Sequence, residues 1–388
     1  MSDQNPVFIP GPTNIPERLR RACDRATIDH RSGQFRDILL PALAGVKTIL
    51  KTAQGEVVIF PATGTGGWEA AISNTLSPGD RVLASNHGMF SQKWIDMCVR
   101  HGLTVERVDA PWGEGLPVAG FEAALRADTG HAIRAVLATH NETATGVKSD
   151  IAALRRAMDA AGHPALLLVD GVSSIASMDF RMDEWGVDIA VTGSQKGFML
   201  PAGLAIVGIS QKAIAAMDGA GLPRFFFDFR GMLAMNPSAG YPYTPVVGLL
   251  NGLKVSTGML LEEGLENVFA RHAHVAGGVR AAVRAWGVPI LAARRALQSD
   301  TVTAVSLPEG VDGNKLVAHA DARYGVAFGA GLGRVAGKVL RIGHLGMMSE
   351  AQALCGIAVA EMALADFGVE VAPGSGVAAA QAYYRANG

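Results

Sequence analysis

From about residue 55 to 210, short apolar runs alternate with segments of helical periodicity, and no other feature of the chain restricts its fold as strongly. Parallel strands cannot be joined by a tight turn. They need a crossover, usually a helix, so this alternation predicts an α/β fold with a mainly parallel sheet between helices. Seven candidate strands fall at 57–60, 81–84, 104–108, 135–139, 166–170, 187–192 and 204–208. Candidate helices include 68–76, 91–101 and 150–161, and Asp150 stands where a carboxylate can cap the last of these. A long helical run, 245–286, leads to a smaller C-terminal α/β part with strands near 302–307 and 339–342 and helices at 313–324 and 349–367. The expected division is an N-terminal arm (1–20), a large domain (21–262) and a small domain (263–388). Residues 219–245 break the pattern: Phe225-Phe226-Phe227 with clustered proline and tyrosine suggest an interface. The tail after Pro373-Gly374-Ser375-Gly376 reads as a loosely held last helix.

Open α/β sheets place function beyond the carboxyl ends of their strands. Asp170 closes the apolar run Leu166-Leu167-Leu168-Val169, and Lys196 follows the next strand in Gly193-Ser194-Gln195-Lys196-Gly197. A lysine whose pKa is lowered can condense with an aldehyde, and an aspartate can keep a pyridine nitrogen protonated. The pair reads as the two ends of a pyridoxal phosphate site. Upstream, Val57-Val58-Ile59-Phe60 runs into Pro61-Ala62-Thr63-Gly64-Thr65-Gly66-Gly67 and then a helix. Free amides, the helix dipole and threonine hydroxyls there suit a phosphate. Glu69 occupies the third glycine position of a dinucleotide fingerprint, and no Gly-Lys-Ser/Thr follows, so neither a nicotinamide fold nor a Walker loop is indicated.

These motifs, with Pro10-Gly11-Pro12-Thr13-Asn14-Ile15-Pro16, His30-Arg31-Ser32, Thr139-His140-Asn141-Glu142-Thr143-Ala144-Thr145-Gly146 and Gly337-Lys338-Val339-Leu340-Arg341-Ile342-Gly343, run in order over nearly the whole chain. The chain resembles the class V aminotransferases of fold type I, and among them the serine, alanine or aspartate glyoxylate aminotransferases. The resemblance implies pyridoxal 5'-phosphate as cofactor and Lys196 as the catalytic, Schiff-base lysine. It makes Asp170 the partner of the ring nitrogen. Thr63, Gly64, Thr65 and Gln195 become phosphate ligands, Thr143 a hydroxyl near the phenolic oxygen, and Phe90 the aromatic stacked on the ring. Arg341 becomes the grip on the substrate α-carboxylate, and Tyr241 and Thr244 reach the phosphate of a neighbouring subunit. Some relatives carry histidine at Thr65 and tryptophan at Phe90; threonine still donates and phenylalanine still stacks.

The expected activity is ping-pong transfer of an amino group to glyoxylate, forming glycine. Serine is the preferred donor, giving hydroxypyruvate. Aspartate, giving oxaloacetate, or alanine are the alternatives, with Arg31 or His140 among residues that could read a second carboxylate. A cofactor-binding protein without catalysis is the non-enzyme alternative. A cysteine desulfurase would need its cysteine on a mobile loop, whereas Cys355 lies in the apolar run Ala351-Gln352-Ala353-Leu354-Cys355. Net charge is −1 with acidic and basic residues interspersed, so neither nucleic acid nor membrane is an expected partner. The three cysteines are scattered without metal-ligand spacing, which indicates neither a metal nor a disulfide framework. The first residues lack an apolar leader, so the cytoplasm is expected, and the resemblance implies a homodimer acting on small amino and oxo acids.

Overall fold

The computed structural model describes residues 6–388. Residues 1–5, where the expected arm begins and where a leader was sought, lie outside the described residues. The strands are β1 (Glu56–Phe60), β2 (Arg81–Ala84), β3 (Thr104–Arg107), β4 (Ile133–Thr139), a short hairpin of β5 (Asn141–Glu142) and β6 (Val147–Lys148), then β7 (Leu166–Asp170), β8 (Ile189–Gly193), β9 (Ala205–Ile209), β10 (Val302–Ser306), β11 (Gly329–Ala330) and β12 (Val339–Gly343). Seven of them form one sheet in the order β1-β9-β8-β7-β4-β2-β3. Only β9 runs against its neighbours; the other pairings are parallel. Every residue of β7, β8 and β9 is buried, as continuous apolar strands covered by helices on both faces must be.

Local propensity misplaces two helix boundaries. The glycine-rich turn is itself helical: the helix is Gly64–Thr75, four residues earlier at its start than glycine's poor propensity suggests. A Cβ on Gly67 would stand 2.5 Å from Val191 Cγ1 of β8, so the bare backbone is what lets this helix lie close on the sheet. The long run 245–286 is two helices, Val247–Glu263 and Leu265–Ala285, broken at Gly264 where φ is +84°. Asp150 does cap its helix, accepting from the Ala153 N–H at 2.7 Å.

Among the described residues, two large hydrophobic cores result, with a small cluster of Ala304, Val335 and Val339 beside them. One spans Leu19 to Val268 around the seven-stranded sheet; the other gathers residues from Val275 to Tyr384 around the antiparallel sheet β10-β12-β11. Phe8 belongs to the second core, stacked on Phe328, so the segment near the N-terminus crosses from the small core towards the large one. The last helix, Ser375–Asn387, is not loosely held: Ala380 and Tyr384 are buried, and the rings of Tyr383 and Tyr384 occupy the space left by Gly277 and Gly278. Among the described residues no helix is long and apolar enough to cross a membrane.

Candidate active site

Asp170 ends β7 between Thr139 of β4 and Val191 of β8, and Lys196 follows three residues after β8 ends. Both line one cavity at the carboxyl edge of the sheet, together with Thr63, Gly64 and Thr65 from the start of the Gly64–Thr75 helix. Phe90, Thr143 and Gln195 face the same space. The topology thus brings eight sequence-predicted site residues to one place across more than a hundred positions of chain.

Asp170 is enclosed, and its carboxylate accepts the Val172 N–H at 2.9 Å. Burial, only partly offset by that bond, pushes its pKa up to about 7. Lys196 is equally enclosed; burial first, then the positive charge of Arg341, lower it to about 8. Its ammonium donates to the Pro10 carbonyl at 2.5 Å. Gly11 closes the cavity above it: with φ +102°, it is a position where a Cβ would collide with the lysine side chain.

At the helix start Thr63 is the N-cap residue, but its hydroxyl makes no capping bond, which leaves the first amides open to an anion. The Gln195 amide oxygen is buried without a hydrogen-bond partner among the described residues. After a half-turn the same position would carry the amide N–H₂, a donor that an anionic oxygen could accept from. Thr143 donates its hydroxyl to Ser173 Oγ at 2.8 Å, and Ser173 is held in turn by Asn141. Phe90 meets Trp68 edge to face at 6.5 Å, so this aromatic wall of the cavity is braced by a second ring.

Arg341, on β12, lines an adjoining cleft with Lys196, Phe90 and Thr143. It is buried, donates Nε to the Ala330 carbonyl at 2.8 Å and Nη1 to the Thr143 carbonyl at 3.2 Å, and burial lowers its pKa to about 10. A buried guanidinium held only by neutral carbonyls is a ready place for a carboxylate. The residues present fit a group with an anionic end, a flat body and a protonated ring nitrogen: open amides and Gln195 for the first, Phe90 for the second, Asp170 for the third.

Tyr241 and Thr244 are not brought to this cavity. The Tyr241 hydroxyl donates to the Ile59 carbonyl within the same protomer, and burial raises its pKa well above the usual range. Thr244 is exposed on the same loop, near the exposed Phe225 and Phe226. His140, a candidate reader of a second carboxylate, lies instead behind the site. It is bonded to Ser174 Oγ at 2.9 Å and enclosed by Phe180 and Trp185, and burial lowers it to about 4, so it is neutral. Arg31 is exposed and does not line the cavity. Cys355 is exposed on the helix Glu350–Asp366 and likewise lines neither cavity.

Sequence reasoning assigned no role in the site to Pro10, Gly11, Trp68, Ser173 or Glu142. Glu142 is fully buried and accepts from the backbone N–H groups of Phe90 and Ser91, each at 3.0 Å, and of Ala144 at 3.1 Å, tying the Phe90 wall to the Thr143 strand. Its signal in the sequence was a carboxylate in an otherwise uncharged run, beside Thr143.

A model of the family described as aminotransferase class-V matches residues 18–348. The chain is 66% identical over 385 residues to the L-aspartate–glyoxylate aminotransferase of Paracoccus denitrificans, covering 99% of this chain and 97% of that one. It is 52% identical over 389 residues to the serine–glyoxylate aminotransferase of Methylorubrum extorquens, again covering 99% and 97%. Among solved structures, pyridoxamine-pyruvate aminotransferase from Mesorhizobium loti superposes with a TM-score of 0.93 at 30% identity, over 100% of this chain and 98% of that one.

Proposed function

The chain belongs to the class V aminotransferases, a pyridoxal-phosphate-dependent family, and on that premise we propose that it transfers the amino group of a small amino acid to glyoxylate, forming glycine and a 2-oxo acid. The observation that carries this reading is the convergence of Lys196, Asp170 and the open start of the Gly64–Thr75 helix on one cavity, with Arg341 in the cleft beside it.

Bound there, pyridoxal phosphate supplies an aldehyde for amines and a ring that takes up the electrons of the substrate α-carbon. Thr63, Gly64, Thr65 and Gln195 would hold its phosphate, and Asp170 would hold the proton of its ring nitrogen. Lys196 would bind the aldehyde carbon and, once displaced, carry a proton from the α-carbon on its Nζ. Burial suits that second task, because at about 8 the lysine reaches its neutral form close to neutral pH. Arg341 would fix the α-carboxylate through its planar fork and so set the direction of the bond to be broken. Phe90 and Trp68 exclude water from the flat wall.

For the donor we favour aspartate, on the strength of the 66% relative against 52% for the serine enzyme at equal coverage. Serine is the second reading. It is supported by the walls of the Arg341 cleft, which carry no charge beyond Lys196 and Arg341 themselves. A second carboxylate would find no further cation on those walls. A homodimer joined through the exposed aromatic loop would bring Thr244 and, after a change of rotamer, Tyr241 to the cofactor phosphate of the other site. Glycine formation from glyoxylate with a panel of aspartate, serine and alanine tests the function. Aspartate should be the fastest donor, and no glycine from any of them would overturn the reading.

A further inference from the structure

Gly329 pairs with Arg341 across the antiparallel register of β11 and β12, and it lines the cleft that Arg341 faces. Its φ lies outside the left-handed region, so the backbone does not demand glycine. A strand glycine of that kind gives up side-chain packing and marks a place where something else comes close. Here two things do. A Cβ on Gly329 would stand 2.9 Å from Pro10 Cδ, 3.1 Å from Arg341 Cβ and 3.3 Å from Arg341 Nε. Nε is already fixed on the Ala330 carbonyl at 2.8 Å and Nη1 on the Thr143 carbonyl at 3.2 Å. The guanidinium therefore has little freedom to yield without leaving both carbonyls.

We propose that Gly329 is a positioning residue for carboxylate recognition: its missing side chain sets how deeply the Arg341 fork reaches into the cleft, and so how well both the amino donor and glyoxylate are held. The inference rests on the reading of Arg341 as the carboxylate grip. Gly329 is not part of the cofactor cavity's lining, although its cleft is shared with Lys196, so cofactor affinity is read beside KM.

The test uses the cofactor-loaded enzyme and compares Gly329→Ala, the double variant Pro10→Ala with Gly329→Ala, and Arg341→Gln. In Gly329→Ala, KM for the donor and for glyoxylate should each rise about tenfold, the scale of a displacement well under 1 Å, with kcat little changed. Cofactor affinity and the visible absorption band should match wild type. Removing the Pro10 ring relieves the tightest of the three contacts, which guards against a variant that fails to fold, and the raised KM should persist because the Arg341 contacts remain. Restored KM in the double variant would assign the effect to the segment carrying Pro10 and overturn the proposal. So would unchanged KM in Gly329→Ala, or cofactor affinity falling in step with KM, while Arg341→Gln raises both KM values. If Arg341→Gln itself leaves both unaltered, the reading of Arg341 fails first and takes this one with it.

Discussion

Asp170 and Lys196 depart from their ordinary titration for the same reason, burial, and in opposite senses: the carboxyl rises to about 7 and the ammonium falls to about 8. The consequence for the cofactor-free protein has a definite sign. A carboxyl that keeps its proton to higher pH when folded than when unfolded contributes stability in full below its unfolded pKa, and that contribution is lost as pH rises through the folded value. Cofactor-free wild type should therefore lose stability relative to Asp170→Asn as pH goes from about 4 to 7, by an amount on the order of a few kcal/mol at the upper end, seen as a lower melting temperature. Thermal melts across that range check it, and parallel curves would sink the burial account. Loading the cofactor should close the gap, because an opposite charge against Asp170 restores its ionised form.

At the scale of elements, the site depends on one helix start being held by another segment's carboxylate. Glu142 of β5 takes the first amides of the helix Met89–Arg100, which carries Phe90, and Gly88 has no side chain because that space is filled by Glu142. In Glu142→Gln an amide N–H₂ must face backbone N–H donors, leaving at least one buried donor unmet. The expected cost is about 1–3 kcal/mol in denaturant unfolding, with faster cofactor release. Hydrogen exchange at the amides of Phe90 and Ser91 should speed up; exchange that stays at the wild-type rate would remove Glu142 from this role.

For the whole molecule, two attachments matter. The last helix is part of the small core, with Tyr384 buried and its hydroxyl donating to the Val275 carbonyl at 3.2 Å. Tyr384→Ala should cost about 3 kcal/mol or more, as large aromatic truncations do, and should destabilise the small domain ahead of the sheet when followed by site-resolved hydrogen exchange. Equal loss at β7 and β8 would show the two cores unfolding as one. The second attachment belongs to the proposed homodimer and would lie between subunits. Mixed dimers of Lys196→Ala chains with chains carrying Tyr241→Phe and Thr244→Ala gather both lesions in one site and leave the other whole, so activity should partly return on mixing. Mixed dimers that form yet stay inactive would return Tyr241 and Thr244 to their own protomer, where the Tyr241 hydroxyl now meets Ile59.

The strand runs from Val57 to Ile209 and the residues at their ends were legible because burial on both faces of a parallel sheet writes itself as unbroken apolar sequence, and because cofactor chemistry demands a lysine and a carboxylate whatever their surroundings. Asp170, Lys196 and the glycine-rich turn stood out in the sequence for that reason, and the structure brings them to one cavity. Other features had no local signature. The helix begins at Gly64 because close packing on β8 outweighs glycine's poor propensity, and the 245–286 run breaks at Gly264 without any change in apolar periodicity. Whether a histidine is charged depends on what surrounds it, and nothing local in the sequence showed that His140 is enclosed by Phe180 and Trp185, where burial lowers its pKa to about 4. Pro10, Glu142 and Gly329 owe their importance to partners 186, 52 and 12 residues away along the chain. Contacts at such separations are set by how the sheet is wound and how the two cores meet, and only the tertiary structure decides them.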